Sequence, residues 1–222
     1  MSEKALFTWS GGKDSALALY YIQRSNLYEI DTLLTTITSD FDRVSMHGFR
    51  TTLLEQQAKM MGIKLENILI PKNCSNDDYE NIMAKILEKY HSQGFSKVIF
   101  GDIFLEDVRK YRERQLSKLD MLGLFPLWKT NTRALANEFI RLGFKAIITC
   151  VDSLMLDGAF VGHEFNNDFL TELPNSIDPC GENGEFHTFV YDGPIFNERI
   201  SIKKGEIVVK EGRFYFCDLI PT

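Results

Sequence analysis

Ala5-Leu6-Phe7-Thr8-Trp9-Ser10-Gly11-Gly12-Lys13-Asp14-Ser15 is the stretch that decides the fold. Ala5 to Trp9 is a mostly apolar run without strict alternation, so it reads as a strand covered on both faces. Ala16 to Ile22 is apolar on every side and reads as a buried helix. The six residues between them, Ser10 to Ser15, place two glycines, two hydroxyls and a lysine at the entrance of that helix. Glycine lets the backbone approach an anion closely, and a helix N-terminus supplies N–H groups and the positive end of a dipole. The segment therefore reads as a phosphate cradle, against the plainer alternative of a glycine-rich turn capping a helix. It is not a Walker A loop, because Phe7 stands where that loop needs glycine and Asp14 where it needs Ser or Thr. Nor does it carry the G-x-G-x-x-G spacing of dinucleotide loops.

Outward from this unit, helical patterns repeatedly end on glycine just before a short apolar strand: Gly62 before Asn67–Ile70, Gly94 before Lys97–Phe100, Gly123 before Leu124-Phe125, and Gly143 before Lys145–Val151. In the segment from Ser75 to His91, Tyr79, Ile82, Met83, Ile86, Leu87 and Tyr90 recur at helical spacing, and Ser75, Asn76, Asp77 and Asp78 suit its N-terminus. Strands are expected at Ala5–Trp9, Asp31–Ile37, Asn67–Ile70, Val98–Phe100 and Lys145–Val151. Apolar strands alternating with helices predict an α/β fold with a doubly wound, mainly parallel sheet. Beyond about Val151 Gly, Asn and Pro become frequent, and Ile200–Phe216 reads as two strands around Glu211-Gly212. A smaller C-terminal α+β unit is expected there, with residues 1–128 forming the nucleotide-binding domain and 129–222 the second unit, or else with the first sheet extending as far as residue 151.

Twenty-five basic against thirty-one acidic side chains give a formal net charge of -6, which disfavours nucleic acid as a partner. No apolar run approaches the roughly 20 residues of a membrane span. The four cysteines are scattered without a C-x-x-C pair, which fits reduced thiols and a cytoplasmic location.

Candidate chemistry gathers in three further places. Gly101-Asp102 ends the strand Val98–Phe100; beside the first strand, it would meet the cradle where strand order reverses, with Asp102 orienting a nucleotide or Mg²⁺, or else capping the next helix. Glu182, Glu185 and His187 lie within six residues between glycines and before an apolar strand, and could bind ammonium and accept its proton. Glu185 and His187 would share one strand face, with Phe186 and Thr188 on the other. His47 with Arg50 could contact phosphate or substrate through the guanidinium fork, or be an exposed loop pair, and Arg109 and Glu113 would share a helix face, as a substrate contact or as a solvated ion pair. Cys180 has no evident base beside it and reads as inert.

The hexapeptide Ser10–Ser15 resembles the loop of the PP-loop ATP pyrophosphatases. With His47-Gly48-Phe49-Arg50, Gln56-Gln57-Ala58, Gly101-Asp102-Ile103, Pro126-Leu127-Trp128 and the segment from Asp178 to Pro194, the chain resembles the diphthine-ammonia ligase family and its bacterial relatives over nearly its whole length. The resemblance implies ATP and Mg²⁺ as cofactors, with Ser10, Gly11, Gly12, Lys13, Asp14, Ser15, Gly101 and Asp102 binding the nucleotide. Lys13 would neutralise the leaving pyrophosphate and Asp14 would help hold the metal. Glu185 and His187 would act in catalysis, and His47, Arg50, Arg109, Glu113, Glu182 and Thr188 would face the substrate. The implied reaction is adenylation of a carboxylate followed by transfer of ammonia, the acceptor in archaea and eukaryotes being diphthine on elongation factor 2. A different acceptor, such as a small metabolite or a tRNA base, or a module that senses ATP without turnover, would share the loop; a homodimer is compatible with all of these. One departure stands out: after Val161-Gly162 the family pattern calls for arginine, and this chain has His163-Glu164.

Overall fold

The opening apolar run forms β1 (Glu3–Thr8), and the chain turns through the glycines into α1 (Lys13–Ser25). It continues as β2 (Tyr28–Thr38), a short β3 (Arg43–Val44), α2 (Thr51–Met61), β4 (Lys64–Ile70), α3 (Asn76–His91), β5 (Lys97–Ile99), α4 (Glu106–Ser117) and β6 (Leu122–Leu124). The structure, a computed structural model, describes residues 2–38, 43–44 and 48–222. β1 lies in the middle of a parallel sheet ordered β4-β2-β1-β5-β6, with β3 folded back antiparallel on the end of β2. The chain first winds from β1 out to β4, then crosses over and winds from β5 to β6. Strand order therefore reverses between β1 and β5, which are hydrogen-bonded neighbours as the Gly101-Asp102 argument required.

Both faces of this sheet are covered, which is why its strands do not alternate. Ala5, Phe7 and Leu33 pack toward Leu17 of α1 and Leu53 and Leu54 of α2, while Leu6, Leu34 and Val98 face Leu87 and Tyr90 of α3 and Leu116 of α4. Ser75 caps α3 as expected, accepting a hydrogen bond from Asp78 N. Gly123 is a difference: it lies inside β6, and Asp120, at φ 52°, takes the left-handed position before that strand.

The rest of the chain forms α5 (Thr132–Arg141), β7 (Lys145–Asp152), a 3₁₀ turn (Gly158–Phe160), α6 (Asn167–Glu172), β8 (Phe186–Asp192), β9 (Ile202–Lys210) and β10 (Phe214–Pro221). These strands make a separate antiparallel sheet ordered β8-β7-β10-β9. The expectation that the first sheet extends to residue 151 is thereby corrected, since β7 pairs antiparallel with β8 and β10 instead. Its apolar run reflects burial on two faces, which a parallel sheet and a covered antiparallel one share. Among the described residues no helix is long and apolar enough to cross a membrane.

Candidate functional site

The first glycine of the Ser10–Ser15 loop is fixed by contact as well as by conformation. Gly11 has φ 77°, and a methyl group on it would lie 2.6 Å from Phe49 Cζ and 2.8 Å from Gln57 Oε1. Gln57, wholly buried on α2, donates from Nε2 to the carbonyls of Gly11 (3.0 Å) and Val190 (2.6 Å), and its Oε1 accepts from Trp9 Nε1 at 2.9 Å. Val190 N in turn donates to the Gly11 carbonyl at 3.0 Å. Ser10 and Ser15 join their hydroxyls at 2.8 Å, and Ser10 Oγ accepts from Gly12 N at 3.2 Å. Strand β8 thus docks edge-on against the loop, and Thr188 Oγ1 accepts from Lys13 N at 3.0 Å. That bond gives Thr188 a part in shaping the cradle, next to its expected place facing substrate.

Lys13 is only 4% exposed. Its ammonium donates to Asp14 Oδ2 at 2.7 Å and to the Cys180 carbonyl, and sits 5.7 Å and 5.4 Å from the ring centres of Phe165 and Phe186. Burial opposes its charge, but Asp14, with Glu182 behind it, more than offsets this and holds the lysine pKa above its ordinary value. Asp14 is raised by burial and by Asp178, against the pull of Lys13. Several carboxylates therefore crowd one ammonium.

Gly101, just past β5, approaches the first turn of α1 so closely that a methyl group there would lie 3.1 Å from Ser15 N. Asp102 does not cap the next helix, whose N-cap is Leu105. It pairs with Arg112, whose Nη2 donates to Oδ1 at 3.1 Å while Nε lies 2.7 Å from Oδ2. Glu182 reaches across to this loop and accepts from Ile103 N at 2.7 Å and, more weakly, from Phe104 N at 3.4 Å. Burial, with Asp14 adding, pushes its carboxyl up to about 7. His187 is pushed down to about 4 by burial and by Lys13, so its imidazole is neutral near pH 7.

Glu185 has a different environment from the one its position suggested. It is 1% exposed and accepts from Asp178 N (3.1 Å), Asn183 N (3.0 Å) and Asn183 Nδ2 (2.9 Å), tying together the turn that carries Glu182. A cavity of about 900 Å³ opens from the loop across the carboxyl ends of β1, β2 and β5. Ser10, Lys13, Asp14, Asp102, Glu182, His187 and Thr188 line it, and it continues between α3 and α4 along Met83, Leu87, Val108 and Leu116. Glu185 is not among its lining residues. α3 stands over this space, which leaves Tyr79 and Met83 of its apolar face only partly buried.

Three expected substrate residues point elsewhere, and a fourth, His47, lies outside the described residues. Arg50 makes the anticipated fork, but onto Asp218 of β10, with Nη2 at 2.6 Å and Nε at 3.3 Å. Arg109 and Glu113 form an ion pair at 2.7 Å, with the guanidinium 4.6 Å from the ring centres of Phe125 and Trp128. His163 is exposed and does not line the cavity, and Glu164 accepts from the Tyr191 hydroxyl at 2.9 Å. Cys180 is buried with its thiol pKa raised by that burial, and its Sγ contacts the Thr132 carbonyl at 3.3 Å. Sequence reading gave no role to Gln57, although a glutamine among the apolar residues of α2 was a visible signal. It could not have found the Cys180 carbonyl, because a main-chain group has no signature.

The chain shows its kinship along both sheets. Residues 3–122 match the model of the diphthamide synthase N-terminal domain, and residues 131–218 that of the diphthamide synthase C-terminal domain. It is similar to the diphthine–ammonia ligases of Rattus norvegicus (30% identical over 158 residues, 67% of this chain and 57% of that protein) and Homo sapiens (29% over 157 residues, 67% and 57%). The Schizosaccharomyces pombe diphthine–ammonia ligase is 25% identical over 224 residues, 92% of this chain but 37% of its own length. The chain thus spans little more than half the length of the mammalian relatives. With a family model over more than half of its residues and a second over most of the remainder, the chain belongs to the diphthamide synthase family.

Proposed function

We propose that this protein is an ATP-dependent carboxylate–ammonia ligase of the cytoplasm that forms AMP and pyrophosphate, with diphthine the acceptor that the relatives' name suggests, carried on elongation factor 2 as the family resemblance implies. The observation that carries this reading is the buried Lys13 ammonium at the N-terminus of α1, beside Gly11 and Gly12 and open to the cavity at the strand-order reversal. In this reading residues 1–128 serve ATP and residues 129–222 serve acceptor and ammonia.

The residues present fit Mg²⁺-ATP. Magnesium is held by one or two carboxylates together with substrate phosphates rather than by a cage of protein ligands. Asp14, crowded by Asp178 and close enough to Glu182 to raise its pKa, supplies such oxygens, and these carboxyl groups together outnumber the one ammonium of Lys13. The ion would neutralise charge on the phosphates. Lys13 and the first-turn N–H groups of α1 stabilise the oxygens on which charge grows as pyrophosphate departs.

A carboxylate oxygen of the acceptor attacks the α-phosphorus, and the bond to the β-phosphate oxygen breaks with its electron pair leaving on pyrophosphate. Ammonia then attacks the acyl carbon, AMP departs with the electrons of the acyl–oxygen bond, and the nitrogen gives up one further proton, to the departing phosphate or to water, to become the neutral amide. Ammonium must first lose a proton. Glu182, with a pKa of about 7, is matched to that task, whereas His187, neutral throughout this range, is suited to hydrogen-bond the nitrogen. Glu185 keeps Glu182 in place through the turn it organises. The test is chromatography of the nucleotides after incubation with ATP, ammonium and acceptor: AMP and pyrophosphate are expected, and ADP as the main product rejects the mechanism.

A further inference from the structure

Gln57 joins the two halves of the site without entering it. It lies within α2, wholly buried, and is not among the residues that line the cavity. An apolar side chain of similar length, such as methionine, would fill the same space without desolvating an amide, so what the glutamine adds is its hydrogen bonds. All three run to groups of fixed character. An indole N–H can only donate and a main-chain carbonyl can only accept, so Trp9 fixes the amide oxygen while Gly11 and Val190 fix both hydrogens of the nitrogen.

These bonds complete a pairing that the main chain leaves half made. The N–H and C=O of a strand residue point to the same edge, and a full antiparallel partner exchanges both. Val190 N donates to the Gly11 carbonyl at 3.0 Å, whereas the Val190 carbonyl is met by Gln57. The glutamine amide thus stands where the second half of the pair would be. Because it also donates to the Gly11 carbonyl, it closes a ring through loop and strand. A single bond is a pivot, while a closed ring fixes orientation. Trp9, the third partner, lines the cavity just before the loop, and Val190 follows His187 and Thr188 on β8. One buried amide therefore sets the segment that would hold phosphate against the segment that carries His187.

We propose that Gln57 is a positioning residue that couples the two half-reactions, keeping the adenylate formed at the loop within reach of ammonia on the β8 side of the cavity. This rests on the ligase reading given above. Without the ring, β8 pivots on the remaining bonds of Val190 N and Thr188 to the loop, and water takes the place of ammonia. Water attacks the acyl carbon, AMP leaves with the electrons of the acyl–oxygen bond, and the carboxylate re-forms as the water's protons pass to solvent. ATP is then consumed without an amide. A displacement of about 1 Å is enough to change the rate of such a step on the order of 10²-fold.

Two measurements on Gln57→Met test the proposal. The first needs no acceptor and follows hydrogen exchange with α,β-methylene-ATP, which cannot be split between its α- and β-phosphates. In the parent, the analogue at about a hundred times its dissociation constant should slow exchange about a hundredfold in residues 10–15 and also in residues 189–192, which do not line the cavity. In the variant, residues 10–15 should still be protected while residues 189–192 stay within about threefold of their unliganded rate. The second counts AMP and amide with ATP, ammonium and diphthine-bearing elongation factor 2, and amide per AMP should fall roughly tenfold or more. A role confined to stability would lower both products together and leave the ratio, and the exchange pattern at saturation, as in the parent. Circular dichroism melts establish folding. Where methionine is not tolerated, Gln57→Glu, whose buried acid keeps one donor and one acceptor, should show a smaller loss of the same kind. Equal protection of both segments in a folded variant, or an unchanged amide per AMP, would overturn the proposal. ADP as the parent's product would overturn the ligase reading instead, and the two failures are told apart because the exchange pattern does not depend on the product.

Discussion

Glu182→Gln removes one ionisable group while keeping the oxygen that accepts from Ile103 N. In the folded chain Glu182 titrates at about 7 against an ordinary 4.5. Between those values the native state holds a proton that the unfolded chain has released, so this group's contribution to stability falls as pH rises. The gap of about 2.5 pH units corresponds to roughly 3 kcal/mol, present below the unfolded value and lost by the time the folded value is passed. His187 does the reverse, being held at about 4 against 6.5. Its neutral form is favoured by folding, so its contribution is present above 6.5 and lost as pH falls to about 4. Between about pH 4.5 and 6.5 the two slopes oppose each other, and the parent protein should show little of either. Urea unfolding of parent and Glu182→Gln across about pH 4.5 to 8 separates them: the variant should gain on the parent by roughly 1–3 kcal/mol as pH rises. A difference constant with pH to within about 0.5 kcal/mol would show that Glu182 titrates as an ordinary carboxylate, and would remove it as the matched base.

Lys13→Ala should reduce ATP affinity by on the order of 1–3 kcal/mol in calorimetry, the scale of a charge-assisted bond to phosphate, and near-unchanged affinity would refute the cradle. Glu185→Gln turns an amide NH₂ toward groups that are themselves donors, so it should destabilise the fold by about 1–3 kcal/mol in thermal melts while leaving ATP affinity within about threefold. An unchanged melt together with lost amide formation would instead return Glu185 to the chemistry.

Legibility in the sequence followed the range of each interaction. Ser10 to Ser15 could be read because strand, loop and helix are contiguous and glycine acts locally. The neighbouring positions of β1 and β5 were only a condition of the Gly101-Asp102 argument, and the sheet meets it because the chain winds outward from β1 in both directions. β7 was misassigned because an apolar run records burial and says nothing of which sheet provides it. Arg50 was rightly read as a fork, yet its target, Asp218, lies 168 residues away. Glu182 and Glu185 differ by three positions and look alike as letters. The turn between Gly181 (φ 67°) and Gly184 (φ 92°) sends one carboxylate to the cavity and folds the other back onto its own main chain.

The bond from Lys13 N to Thr188 joins residues 175 positions apart, and the Gly11 carbonyl likewise depends on Val190. A chain emerging from the ribosome therefore makes this loop long before it makes the partners that hold it. A ligand stabilises only the state that binds it. ATP should thus be unable to rescue intermediates that lack β8, and should act instead as an inspector, holding together molecules in which β8 has found its place against the loop.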